Sequence, residues 1–76
     1  MIIKQKRVGK NLIEIDKYDW HDKSYYCVSW REDAGNWMPW EVREDGTRHI
    51  MSLIKTNIED AEALFDIYIR MARENG

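Results

Sequence analysis

Thr56-Asn57-Ile58-Glu59-Asp60-Ala61-Glu62-Ala63-Leu64-Phe65-Asp66-Ile67-Tyr68-Ile69-Arg70-Met71-Ala72-Arg73 is the stretch that decides the fold. Ile58, Ala61, Leu64, Phe65, Tyr68 and Ala72 recur at the helical period, while Glu59, Glu62, Asp66, Arg70 and Arg73 fall opposite them. The pattern predicts one amphipathic helix over residues 58–73. Thr56 with Glu59 fits a capping box; Asn57 with Asp60 is the alternative pair. Acids in the first turn and arginines in the last suit the helix dipole. A single helix of this kind must bury its stripe on another layer.

The residues before it supply strands. Ile13 and Ile15 alternate with Glu14 and Asp16, the period-two pattern of a half-buried strand. Residues 1–9 read either as a separate edge strand or as a flexible arm, with Val8-Gly9-Lys10-Asn11 a turn or a glycine bulge. Asp19-Trp20-His21-Asp22-Lys23 reads as a loop. Ser24-Tyr25-Tyr26-Cys27-Val28-Ser29-Trp30-Arg31 is rich in strand-favouring residues, with Tyr26, Val28 and Trp30 on one face. A further strand is expected over Trp37–Glu44, irregular at Pro39, which has no N–H to donate. Asp45-Gly46 suits a tight hairpin into Thr47–Lys55. The expected architecture is α+β: an antiparallel meander of about four strands with one C-terminal helix on one face, forming one domain over residues 1–76.

The 76 residues carry 14 acids and 12 bases, for a net charge of −2, with four Trp and four Tyr. That composition is too apolar for intrinsic disorder. One cysteine forms no internal disulfide and builds no structural zinc site alone. Bases near the start are not followed by an apolar stretch, and no run is long enough to span a bilayer, so no signal peptide and no membrane partner are expected. The unpaired Cys27 agrees with a cytoplasmic location.

Chemistry is sparse. His21, Cys27 and His49 do not stand at any metal-ligand spacing, and Cys27 with a histidine is the only conceivable nucleophile pair. The four glycines are scattered, so there is no phosphate loop. The expectation is a non-enzymatic protein without catalytic, cofactor-binding or metal-binding residues.

Strand parity suggests a surplus of apolar side chains. The helix can cover Ile13, Ile15, Tyr26, Val28, Trp30, Met38, Trp40 and Val42. Leu12, Tyr18, Trp20, Tyr25, Cys27 and Trp37 have the other parity, as does one of the sets Ile50/Ile54 or Met51/Leu53. Trp30 and Trp40 thus read as core and Trp37 as exposed. An uncovered apolar face usually marks an interaction site. The expected role is a protein-interaction module, self-association to a homodimer being one form, with Tyr25, Trp37, Arg31, Arg43, Arg48 and Trp20 as its surface. The alternative is single-stranded nucleic-acid binding, with bases stacked on the rings and cations along the backbone. A pI near 5.6 weighs against it.

Overall fold

The computed structural model describes residues 1–33, 35 and 42–75. Four strands, β1 (Ile2–Val8), β2 (Asn11–Trp20), β3 (Lys23–Asp33) and β4 (Thr47–Lys55), precede one helix, α1 (Ile58–Asn75). The strands form a single antiparallel sheet in the order β1-β2-β3-β4. The helix packs on one face of this meander, so the α+β expectation holds.

Residues 1–9 form a strand and its turn. Gly9 has φ of 58°, a conformation that costs a residue with a Cβ, and Val8 pairs directly with Asn11. The expected loop at Asp19–Lys23 is instead a two-residue turn. β2 runs on to Trp20, which pairs with Lys23, and His21 and Asp22 both take positive φ, 51° and 61°. Positive φ at both central positions matches the right-handed twist of a hairpin, and Asp tolerates it better than most side chains. The sequence hid this turn because it contains no glycine.

The expected strand over Trp37–Glu44 lies largely outside the described residues. Within them, Val42 and Arg43 are irregular and Glu44-Asp45 is a turn. The neighbour of β4 is β3, with Thr47 opposite Asp33. Asp45-Gly46 does turn the chain, since the Gly46 N–H donates to the Arg43 carbonyl at 2.9 Å, but it leads into β4 from irregular backbone.

The core follows the anticipated parity. Ile13, Ile15, Val28 and Trp30 of the sheet meet Ala61, Phe65, Tyr68, Ile69 and Ala72 of α1. Ile69 joins the stripe, and α1 extends to Asn75. The helix cap is the alternative pair: Asn57 Oδ1 accepts from the Asp60 N–H at 2.8 Å, and Asn57 Nδ2 donates to Asp60 Oδ2 at 2.9 Å. A cap of this kind contributes about 1 kcal/mol. On β4 the set Met51/Leu53 lies on the helix side, opposite Trp30 and Val28, whereas the set Ile50/Ile54 is split between the faces. The register slips one residue opposite Trp30/Arg31, so Ile50 and Met51 both pack against the core while Ile54 stays on the other face opposite Cys27.

One polar contact is sealed into this core. Trp30 Nε1 donates to Asn11 Oδ1 at 3.0 Å, and Asn11 Nδ2 donates to the Val8 carbonyl at 3.2 Å. Asn11 thereby ties the β1–β2 turn to the largest buried ring. Asn11→Ala leaves the indole N–H buried without an acceptor, a cost of about 1–3 kcal/mol. Urea unfolding is expected to show this as a lower midpoint with an unchanged slope.

Candidate functional site

The face away from the helix divides into two halves. Its polar half is built on Arg31, which parity places on this face but which is only 8% exposed. Arg31 Nη2 donates to Glu14 Oε1, Nη1 donates to Asp45 Oδ2, and Nη1 also reaches Thr47 Oγ1 at 3.3 Å. Glu14 is 4% exposed and accepts in addition from Gln5 Nε2 at 3.2 Å. Asp45 in turn accepts from the Thr47 N–H at 3.0 Å and from the Thr47 hydroxyl. One guanidinium therefore joins β2, β3, β4 and the turn before β4, with β1 attached through Gln5. Arg31 is thus a structural ion-pair partner and not the available surface cation expected of it. Its contact with Glu14 runs diagonally between strands, since Glu14 pairs with Ser29 and Arg31 with Leu12.

The apolar half lies toward the β2–β3 turn. Tyr25 is half-buried and stacks on Tyr18, with centroids 5.5 Å apart and an angle of 21° between the rings. Trp20 is 63% exposed and meets only the edge of His21, at 4.3 Å. Ile54 and Ile2 are more than half exposed on either side of the Asp16–Cys27 pair. Parity in the sequence places Tyr18 on this face and offers Ile54 in one of two sets, but neither was expected in the interaction surface, and Ile2 was not singled out. Their place beside Tyr25 follows from the cross-strand register, which a single chain does not display.

The other expected surface residues separate. Arg43 is exposed and borders a cavity between the two halves. Arg48 lies opposite Glu32 and therefore on the helix side of the sheet, because the irregularity at Ile50 reverses the alternation of β4. Trp37 and Trp40 lie outside the described residues.

The cavity holds about 410 Å³. Its floor is the cross-strand pair Ser29–Ser52, flanked by Arg31–His49 on one side and Cys27–Ile54 on the other. Burial, reinforced by the nearby Asp16 carboxylate and opposed by Arg43, pushes the Cys27 thiol above its usual value. That thiol is a poor nucleophile at neutral pH. Cys27 and His49 stand four positions apart along the ladder, about 13 Å, so they do not form a catalytic pair. Among the described residues no group of three or more His, Cys, Asp or Glu side chains could hold a metal ion, and no helix is long and apolar enough to cross a membrane.

Comparison with protein-family models, with curated proteins and with solved structures gives no match to this chain.

Two measurements test the ion-pair network. Arg31→Met leaves the Glu14 carboxylate buried without its counter-charge, which is expected to cost about 3–5 kcal/mol by urea unfolding. The double change Arg31→Met with Glu14→Met is expected to cost less than the single one, because the stranded charge is gone. The hydrogen bond from Thr47 is the chief cause that holds the Asp45 carboxyl below its ordinary value, with Arg31 adding to it against burial. Its contribution to stability is therefore complete above about pH 4 and fades as the pH falls through the lower folded-state value. Thermal melts in acid are expected to decline less steeply for Asp45→Asn than for the wild type.

Proposed function

We propose that this protein is a non-enzymatic interaction module that docks a protein partner on the apolar half of its open sheet face. The observation that carries the reading is the row of exposed Trp20, Tyr18 and Ile54 with half-buried Tyr25, beside a polar half in which Arg31, Glu14 and Asp45 are already paired. Large aromatic side chains left in water on a small domain favour removal from it, and they are enriched at the centres of protein interfaces. The charges around the row are mixed and lean acidic: Asp16, Asp19 and Asp22 against Lys17 and Lys23. A protein surface tolerates that balance, whereas a phosphate backbone is repelled by it. Self-association through the same row is one form of the proposal.

The test compares the wild type with Trp20→Ser/Tyr25→Ser, two positions outside the helix-side core. Sedimentation equilibrium from micromolar to millimolar protein reads self-association. Affinity capture with both proteins, followed by identification and rebinding of the purified partner, reads a different chain. The reading expects one of these two associations in the wild type and its loss in a variant whose melting temperature is unchanged. Equal association by both proteins refutes it. Salt-sensitive quenching of Trp20 fluorescence by oligo-dT would instead favour single-stranded nucleic acid as the partner.

A further inference from the structure

We infer that the cavity between the two halves of the open face binds a carboxylate that carries an apolar substituent. The site is distinct from the aromatic row and stands or falls separately from the docking role.

The inventory of its walls carries the inference. Among the described residues three acids border the cavity, and each already has a partner. Glu14 and Asp45 are bonded to Arg31, and Asp16 accepts from the α-amino group of Met1 at 2.7 Å. Among the described residues, the lining groups left without a hydrogen bond or ion pair are of the opposite kind. They are the guanidinium of Arg43, the imidazole of His49, and the hydroxyls of Ser29 and Ser52. All four can donate, and none of them brings a negative charge. A cavity whose acceptors are engaged and whose donors are not is matched to an acceptor-only ligand. A planar carboxylate fits that description and forms strong, charge-assisted bonds with a guanidinium.

The register gives the ligand a direction. Ser29 and Ser52 face each other across β3 and β4, so their hydroxyls lie side by side. Arg31–His49 is the next open-face pair toward the polar half. Arg43 enters above it from the turn before β4, held by its N–H donating to the Thr47 carbonyl at 2.7 Å. Toward the apolar half, Cys27–Ile54 follows about 7 Å from the serine pair, and Ile2 closes that side. A carboxylate over the serines, reached by Arg43 and His49, therefore places its substituent on Cys27 and Ile2, the apolar side chains that line the cavity among the described residues. The opposing pulls of Asp16 and Arg43 on the Cys27 thiol agree with this polarity, with Arg43 close enough to be felt across the cavity. At about 410 Å³ the space suits one amino-acid-sized group. The same chemistry is presented by a free branched-chain carboxylic acid and by the C-terminal residue of a peptide.

The experiment titrates the full isotopically labelled chain and follows the backbone amide signals by NMR. The probes are N-acetyl-leucine, its neutral amide, and acetyl-Gly-Gly-Leu with a free carboxylate. The acid is expected to shift Cys27, Ser29, Arg43, His49 and Ser52 in a saturable way at millimolar concentration, and the amide to leave them in place. Arg43→Gln should weaken the acid about tenfold, the loss of one charge-assisted hydrogen bond, with the melting temperature unchanged. Tighter binding of the tripeptide, with shifts reaching Tyr18 and Tyr25, identifies a chain terminus as the source. Equal or weaker binding of the tripeptide identifies a free acid. The inference is overturned if acid and amide shift the same signals equally, if the acid shifts none of them, or if Arg43→Gln binds as the wild type does. None of these outcomes depends on the association measured for the aromatic row.

Discussion

The two-residue turn at His21-Asp22 sets the register of β2 against β3, and every face in the molecule depends on it. With Trp20 opposite Lys23, Ile13 meets Trp30 and Ile15 meets Val28, which brings the four largest sheet contributions to the core onto one side. A slip of β2 by one residue would turn Ile13 and Ile15 away from Val28 and Trp30 and would put Glu14 beneath the helix. The Trp30–Asn11 bond exists only in this register, and so does the diagonal from Arg31 to Glu14. The helix is held by the side that results, since its own length gives it little stability away from packing.

The two faces of the sheet are buried by different means. On one side α1 removes apolar surface from water, which is the larger stabilising effect in a chain of this size. On the other, a salt-bridged cluster is covered by the turn before β4. Such a cluster contributes little net stability but penalises any rearrangement that separates its members. Arg31 therefore serves mainly to specify where the turn at Asp45 rests. Because the cluster occupies one half of the face, the uncovered apolar side chains are confined to the other half.

The helix, its stripe and the alternations at Ile13/Ile15 and Val28/Trp30 were legible in the sequence because periodicity is a local property. The surplus of apolar residues opposite the helix was legible for the same reason, and Tyr25 and Trp20 do lie there. The remainder depended on pairing between distant strands. His21-Asp22 lacks the glycine that advertises a tight turn, so β2 and β3 run further than their composition indicated. Arg31 looked like a surface cation because its partners are Glu14, 17 residues before it, and Asp45, 14 residues after it. The cavity was not legible at all. Ser29 and Ser52 are unremarkable until β3 and β4 are laid side by side.

The extra residue at Ile50 also bears on how this strand tolerates changes of length. Removing one residue at that point would restore regular pairing while leaving Thr47 and His49 on the open face with Ser52 and Ile54. Removing Met51 instead would do the same, because both residues lie on the helix side between His49 and Ser52, whereas a deletion in the interior of β4 outside this pair would rotate one end of the strand against the other. The Ile50-Met51 step is therefore where a chain of this kind can shorten β4 by one residue and keep its surface chemistry, losing only one side chain packed against the core.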